Sequence, residues 1–183
     1  MSTVAVFLAD GFEEIEALTV VDLCRRAGLD TPMVSIMQDK AVTGSHGIQV
    51  IADKMLADID FGSVDMIVLP GGMPGTLNLE KCEPLMAQVK DFYEKGKYIS
   101  AICAAPTVFG RLGLLKDRAA CCYPSMEDEL ICAKVSKKPV EISDHVTTSR
   151  GMGTAMDLGL AIVERFKGKE VADKLADAVV YQC

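Results

Sequence analysis

A cysteine stands where one apolar stretch of the chain ends and a run of small residues begins. Cys103 follows "KYISAI", which predicts a buried strand, and precedes "AAPTVFG", which predicts a helix from about Ala104. A thiol at a helix N-terminus lies near unpaired N–H groups and the positive end of the helix dipole, and both favour the reactive thiolate. The small side chains of Ala104 and Ala105 allow a sharp turn of the nucleophile-elbow type. An inert, buried thiol is the alternative that position alone leaves open.

Glu16 is a carboxylate on the apolar side of a helix predicted over residues 11–28. The residues that follow it at helical spacing are apolar, whereas the opposite stripe is mostly polar. Burial raises the pKa of a carboxyl group, so this glutamate could hold a proton near neutral pH and pass it to a neighbour. Glu13 and Glu14 are interpreted as first-turn acids that complement the helix dipole. From the helix alone, Glu16 could have that same role.

A Pro-Gly-Gly turn ends the apolar run "VDMIVLPGG". The backbone N–H groups of Gly71 and Gly72 could approach a ligand closely and form an oxyanion hole. The alternative is a tight turn with no role in chemistry. His46 and His145 are candidate bases for a Cys–His pair, but neither follows the cysteine closely, and a surface or packing role is favoured for both.

The cysteine content and charge exclude several classes of site. Seven cysteines, an odd number with no C-x-x-C, predict reduced thiols, and the two histidines have no ligand spacing to a cysteine, so no metal is expected. The N-terminus has no features of an export signal, and no run approaches the roughly 20 apolar residues that span a bilayer. We therefore expect a cytoplasmic protein without a membrane partner. The net charge of -7 argues against nucleic acid as a partner.

Apolar strands alternate with helices, which predicts an α/β protein with a single domain over residues 1–183. Strands are predicted over 3–10, 31–38, 64–72, 97–102 and 144–149, a hairpin over 40–53, and helices over 11–28, 82–96, from 104, 151–168 and 169–182. Strands that are apolar on both sides indicate a parallel sheet covered on both faces. Sites in such sheets form beyond the carboxyl ends of the strands, so Cys103, the Gly71–Gly72 turn and the Asp10–Gly11 turn are expected to converge.

Four motifs, in this order, resemble the ThiJ/PfpI superfamily: "ADGFEEIEA", "DMIVLPGG", "SAICAAP" and "TSRGMGTAMDLGLAIVE". The most similar branch is that of a Parkinson-disease-associated protein deglycase and its bacterial relatives, and the resemblance covers nearly the whole chain. It implies a flavodoxin-like three-layer sandwich with a mostly parallel central sheet, related to the class I glutamine amidotransferases, and a homodimer. It also implies that Glu16 hydrogen-bonds the Cys103 sulfur and that Gly72, with Gly71 or Ala104, supplies the oxyanion donors.

The chain departs from the pattern of this superfamily at one position. Many members carry a histidine in the segment after the elbow helix, where this sequence has Tyr123 in "CCYPSMEDE". The protease-like branch has a histidine directly after the cysteine, where this sequence has Ala104. A Cys–His–acid triad is therefore not expected, and neither is peptidase activity. Tyr123, Pro124, His46 and Arg26 are further candidate pocket residues.

Two functions follow from the resemblance, and the sequence does not separate them. The first is a cofactor-independent enzyme that converts glyoxal or methylglyoxal to the 2-hydroxy acid, or acts on early glycation adducts, with Cys103 as nucleophile and Glu16 as proton shuttle. The second is an oxidative-stress sensor or holdase chaperone in which Cys103 is oxidised to the sulfinate. A glutamine amidotransferase is less favoured, because the late histidine, His145, is followed by no acid in "HVT".

Overall fold

The chain folds as a mostly parallel central sheet with helices on both of its faces. The computed structural model describes residues 2–131 and 133–181. In chain order the elements are β1 (Val4–Leu8), α1 (Glu14–Arg26), β2 (Met33–Ser35), β3 (Ala41–Thr43), β4 (Gln49–Ile51), β5 (Lys54–Met55), β6 (Met66–Leu69), α2 (Gly75–Lys81), α3 (Glu83–Glu94), β7 (Tyr98–Ile102), α4 (Pro106–Arg111), β8 (Ala119–Ala120), β9 (Lys134–Val135), β10 (Val140–Ser143), β11 (Val146–Ser149), α5 (Ala155–Lys167) and α6 (Lys169–Ala178). Short 3-10 helices occupy Leu56–Asp58, Pro124–Glu129 and Met152–Thr154.

Seven strands form the central sheet in the order β10-β11-β7-β6-β1-β2-β5. Every neighbouring pair is parallel except β10 and β11, which are antiparallel. The three strands β1, β6 and β11 are buried along their whole length, as a parallel sheet covered on both faces requires. The predicted parallel α/β sheet is confirmed.

Alternate residues of β1 face two separate hydrophobic cores. Phe7 packs with residues of α3 and α4 on one face, and Leu8 packs with residues of α1 and α5 on the other. This alternation follows from the two-residue period of a strand. Because α1 is held by this second core, its first turn is fixed at the carboxyl end of β1.

The predicted hairpin over 40–53 is confirmed, since β3 and β4 pair antiparallel. Sequence patterns did not predict α2, the short pair β8 and β9, or the edge strand β10. They were also wrong about where the helix after Cys103 begins, because α4 starts at Pro106, two residues later than predicted, and has six residues. The last helix ends at Ala178, and Gln182, included in that prediction, lies outside the described residues. In the described part of the chain, no helix is long and apolar enough to cross a membrane.

Candidate active site

Cys103 lies in a sharp turn at the carboxyl end of β7. Its φ is 64°, a left-handed conformation that costs a residue with a side chain of order 1–3 kcal/mol. Two backbone hydrogen bonds hold the turn: the N–H of Cys103 donates to the carbonyl of Ser149 at 3.0 Å, and the N–H of Tyr123 donates to the carbonyl of Cys103 at 2.8 Å. The neighbouring strand and the loop after α4 therefore hold this turn in its strained conformation.

Glu16 reaches the turn from the first turn of α1. The residue is 1% exposed, and its Oε2 accepts a hydrogen bond of 2.9 Å from the N–H of Gly71. The carboxyl group also shares a hydrogen bond with the thiol of Cys103. Three segments that are far apart in the sequence therefore meet at one edge of the sheet.

Burial raises the pKa of Glu16 to about 7, although the hydrogen bonds from Cys103 and Gly71 oppose this rise. Burial and the adjacent negative charge of Glu16 raise the pKa of the Cys103 thiol to about 12. Two negative charges in contact are unfavourable, so the pair titrates as a unit that keeps one proton over a wide pH range. When Glu16 holds that proton, its O–H can donate to the sulfur, which is then a thiolate.

The expectation that a helix N-terminus would lower the pKa of Cys103 is wrong. The helix begins only at Pro106, and burial of the thiol outweighs the groups that favour the thiolate. Those groups are the backbone N–H groups of Ala104 and Gly72, which hydrogen-bond the sulfur and lower its pKa. The anion-stabilising donors near Cys103 are therefore individual peptide groups of two turns, not a helix dipole.

The Gly71–Gly72 turn packs against the acid and the thiol too closely for any side chain. A Cβ on Gly71 would lie 2.6 Å from the Cβ of Cys103 and 2.7 Å from Oε2 of Glu16. A Cβ on Gly72, whose φ is +89°, would lie 2.4 Å from the backbone N of Glu13. Glycine is therefore required at position 71 by the acid and the cysteine, and at position 72 by the backbone of residues 11–13 and by the positive φ.

A strained cysteine, a buried acid and a glycine turn on one sheet edge are the arrangement expected of the family that the motifs resemble. The family model that describes the DJ-1/PfpI family matches residues 2–165. The chain belongs to the DJ-1/PfpI family.

Relatives and solved structures of the DJ-1/PfpI family match most of the chain. "Protein DJ-1 homolog B" of Arabidopsis thaliana is 39% identical over 179 residues, which are 97% of this chain and 41% of that protein. This chain thus spans less than half of that relative's length. "Glutathione-independent glyoxalase DJR-1.2" of Caenorhabditis elegans is 34% identical over 89% of this chain and 87% of its own. The solved structure "Toxoplasma gondii DJ-1, oxidized" has a TM-score of 0.96, 34% identity and full coverage of both chains.

The structure places Tyr123, the residue at which the chain departs from the pattern expected from the resemblance, beside the cysteine. Its backbone N–H is bonded to Cys103, whereas its ring is 49% exposed and lies over Gly151. Tyr123 and Pro124 line an open groove of about 350 Å³ next to the elbow. The two pocket candidates after the elbow helix thus line a groove that adjoins the backbone of the elbow.

His46 lies in the hairpin turn and contacts the acids that precede Glu16. Its Nδ1 is 3.1 Å from Oε2 of Glu14 and 3.5 Å from Oε2 of Glu13. Both contacts raise the pKa of the exposed imidazole, and the contact with Glu14 contributes most. Glu14 is a first-turn acid of α1, as interpreted from the sequence, and it has a second role that the sequence did not show. Glu14 is 3% exposed and accepts backbone hydrogen bonds from His46 at 2.8 Å and from Ile48 at 3.4 Å, so it anchors the hairpin to α1.

The same three residues have the spacing of a metal site. One donor atom each of Glu13, Glu14 and His46 lie within 4.8 Å of one another. However, both oxygens of Glu14 already accept hydrogen bonds from the hairpin turn. We therefore interpret the cluster as a structural anchor for the hairpin.

Two other candidates lie away from the thiol. Arg26 is in the last turn of α1, about 15 Å along the helix from Glu16, and pairs with Asp22 at 2.6 Å. It lines a groove beside α1, away from the elbow, so its place in a substrate pocket stays a prediction. His145 precedes β11, whereas Cys103 follows the far end of the neighbouring strand, so these two residues lie at opposite ends of the sheet.

Sequence reasoning missed the polar network that supports the elbow from β11. The hydroxyl of Thr154 accepts the N–H of Arg150 at 3.2 Å and that of Gly151 at 3.1 Å, and it lies 2.7 Å from the hydroxyl of Ser149. This network fixes the loop that follows the Ser149 carbonyl bonded to Cys103. The "TSRGMGT" segment carried the signal, since hydroxyl residues that flank glycines commonly cap local backbone N–H groups.

Proposed function

We propose that the protein is a cofactor-independent glyoxalase-type enzyme that acts on 2-oxoaldehydes or on early glycation adducts. The observation that carries the proposal is the buried Glu16 carboxyl, with a pKa of about 7, hydrogen-bonded to the Cys103 thiol. A group with this pKa can both accept and return a proton at neutral pH. The C. elegans relative is named a glutathione-independent glyoxalase, which supports the same reaction class.

The reaction starts with transfer of the thiol proton of Cys103 to Glu16. The thiolate adds to the aldehyde carbon, and the carbonyl oxygen becomes an alkoxide near the N–H groups of Gly72 and Ala104. Glu16 then gives its proton to that oxygen, which yields a hemithioacetal and leaves Glu16 ionised. No metal or organic cofactor is needed for these steps, because the two side chains supply both the nucleophile and the proton.

The second half of the reaction moves one hydrogen between two carbons. Ionised Glu16 removes the proton from the former aldehyde carbon, and the electron pair forms an enediolate whose negative charge lies on the oxygen of the neighbouring carbon. Glu16 returns the proton to that second carbon, and the hydroxyl proton of the first carbon moves to the second oxygen, which leaves a 2-hydroxy thioester on Cys103. Water hydrolyses the thioester, so the sum is one 2-oxoaldehyde and one water converted to one 2-hydroxy acid.

Methylglyoxal consumption with lactate as the assayed product tests this proposal. The wild-type protein should turn over many equivalents, and Cys103→Ser should lose at least about 100-fold in kcat/KM because the hydroxyl is a far weaker nucleophile. The matched control is Cys82→Ser, at the start of α3, which should keep wild-type activity. Lactate formation by wild type no faster than by Cys103→Ser would overturn the enzymatic proposal.

A second function, a sensor of oxidative stress, is favoured by the same acid. Hydrogen peroxide would oxidise the thiolate first to the sulfenic acid, with release of one water, and a second peroxide would give the sulfinate. A protonated Glu16 can donate a short hydrogen bond to a sulfinate oxygen. The solved structure of the Toxoplasma gondii relative is that of an oxidized protein.

Mass spectrometry after mild peroxide treatment separates the two functions. A sensor should accumulate the sulfinate at Cys103, at about one equivalent per chain, and should show no catalytic lactate production. Oxidation spread evenly over the other thiols would contradict the sensor.

A homodimer is the partner that we propose. An open groove of about 530 Å³ beside α1 has an apolar part formed by Ile15, Leu18, Leu23, Ile48, Met156 and Val179, and a polar part formed by Glu14, Thr19, Asp22 and Arg26. Ile48 is 56% exposed there, and a second copy would cover it. Sedimentation equilibrium should report a dimer that Ile48→Glu dissociates and that the control Ile51→Glu, outside the groove, leaves intact. A wild-type monomer would contradict this proposal.

A further inference from the structure

The groove beside the elbow has apolar walls and a cationic side. The side chains of Tyr123, Pro124, Pro139 and Met152 form the walls, and Gly151–Thr154 contributes backbone to the same space. Lys137 and Arg150 also line the groove. Such a composition, an apolar cleft with a few charged groups, is typical of a small-molecule site.

The charges that face this groove sum to about one positive charge, although the protein as a whole is acidic. Arg150 pairs with Glu127 at 3.2 Å, so that pair is close to neutral. Its Nε–H is buried and has no hydrogen-bond acceptor in residues 2–131 and 133–181, so one donor of the guanidinium group is left without a partner there. Lys137 is exposed and has no acidic partner within those residues. The groove therefore suits a singly charged anion better than a doubly charged one.

Two backbone hydrogen bonds connect the walls of the groove to the cysteine. Tyr123 donates its N–H to the carbonyl of Cys103, and Ser149, which accepts the N–H of Cys103, directly precedes Arg150. Consecutive Cα atoms are about 3.8 Å apart, so the groove begins within about one residue of the elbow. A substrate that reacts at the thiol can therefore extend into the groove over a short linker.

We propose that this groove binds the carboxylate end of a substrate whose carbonyl carbon reacts at Cys103. The proposal rests on the proposed function and specifies its substrate class. The substrate is a 2-oxoaldehyde, or an early glycation adduct, that carries a carboxylate about two or three carbons from the reacting carbonyls. Lys137 is the specificity-determining residue, since its ammonium group is the cation without an acidic partner in the described part of the groove.

A matched pair of substrates tests the proposal. 4,5-Dioxopentanoate is a 2-oxoaldehyde that ends in a carboxylate, and 2-oxopentanal has a methyl group in place of the carboxylate. Their products are 2-hydroxyglutarate and 2-hydroxypentanoate. The wild-type kcat/KM should be at least about fivefold higher for the charged substrate, and the ratio should fall as salt is added.

Lys137→Gln should bring this ratio close to one while it leaves kcat/KM for 2-oxopentanal within about twofold. The matched control is Lys138→Gln, because Lys138 pairs with Glu141 at 3.4 Å and lines a different groove. The control should keep the wild-type ratio. A ratio that Lys137→Gln leaves unchanged, or a wild-type preference for the neutral substrate, would overturn the proposal.

A binding experiment separates failure of the groove from failure of the enzymatic function. 4-Oxopentanoate lacks the aldehyde, so its binding to Cys103→Ala can be followed by calorimetry, with pentan-2-one as the uncharged comparison. The carboxylate should bind, and Lys137→Gln should weaken binding about fivefold. If neither aldehyde is turned over, the enzymatic function is wrong, and equal binding of the two ketones would then reject the groove as well.

Discussion

Two buried acids on the first turn of α1 have opposite pKa shifts, although they are only two residues apart. Burial acts to raise the pKa of both. At Glu14, hydrogen bonds from its own backbone N–H and from the hairpin turn around His46 and Ile48 reverse this effect and lower the pKa to about 2. At Glu16 the hydrogen bonds from Gly71 and the Cys103 thiol do not offset burial, and the pKa is about 7.

Together the two acids show that the balance between depth of burial and the number of donors separates a structural acid from a proton-transfer group. Glu14 is satisfied as an anion by two peptide N–H groups, by the hydroxyl of Ser45 and by the imidazole of His46. Glu16 has one peptide donor, and its other partner is a thiol that competes for the same proton. A carboxyl group with too few donors is the one that can exchange a proton at neutral pH.

The largest expected effect that distinguishes the two acids is on turnover. Glu16→Gln keeps the size of the side chain and an acceptor for Gly71 but cannot move a proton, so kcat/KM for methylglyoxal should fall about 100-fold or more. In wild type, kcat/KM should also fall as the pH drops below about 7, because the base becomes protonated. Glu14→Gln should keep activity within about threefold, because Glu14 does not contact the thiol. Equal losses of kcat/KM in Glu16→Gln and Glu14→Gln would contradict the assignment of proton transfer to Glu16 alone.

The second effect is on stability. Glu14→Gln should lower the free energy of unfolding by about 2 kcal/mol at pH 7, because a charged acceptor of backbone hydrogen bonds is lost. The folded-state pKa of Glu14 is below the unfolded value of 4.5, so its contribution is present above pH 4.5 and disappears as the pH falls towards 2. Urea titrations should show that the difference in the free energy of unfolding between wild type and Glu14→Gln becomes smaller as the pH falls from 4.5 towards 2. A difference that does not depend on pH would mean that side-chain shape, not charge, anchors the hairpin.

The substitution Glu16→Gln should have a smaller effect on the free energy of unfolding than Glu14→Gln, and with the opposite dependence on pH. Its folded-state pKa lies above 4.5, so the stabilisation is complete below pH 4.5 and is lost as the pH rises through about 7. At pH 8, Glu16→Gln should therefore be more stable than wild type by about 1 kcal/mol, because a buried charge is removed. The same urea titrations at pH 4 and pH 8 measure this crossover. A Glu16→Gln protein that is less stable than wild type at pH 8 would contradict this account.

The smallest expected effect is the change in Tm when the exposed imidazole of His46 is removed. His46→Ala removes one donor to Glu14 but leaves the two backbone donors in place. The pKa of His46 is raised in the folded state by Glu14, so the stabilisation is present at pH 6 and is lost as the pH rises through the folded-state pKa. The Tm of wild type should exceed that of His46→Ala slightly at pH 6 and equal it at pH 9. A Tm difference that grows with pH would rule out the ion pair.

The sequence predicted the sheet, the first helix and the convergence of Cys103 with the glycine turn, because apolar periodicity and sheet-edge geometry determine all of these. It did not predict the role of Glu14, since the donors to its carboxylate come from a hairpin more than 30 residues away. The raised pKa of the thiol was missed for a related reason: it depends on burial and on the charge of Glu16, which only the folded contacts set. Arg26 lies in the last turn of α1, away from the thiol of this chain, and residue type alone does not show that distance.

The two edges of the central sheet have a consequence for how copies of this protein can associate. One edge is β5, which has two residues, Lys54 and Met55. The other is β10, which has four residues and carries the largely buried Glu141. Short edge strands and inward-pointing charges prevent a second sheet from adding strand to strand, which is the route to aggregation. Association of copies through their sheet edges is therefore disfavoured. The helical faces are left for association, and there a closed dimer can form.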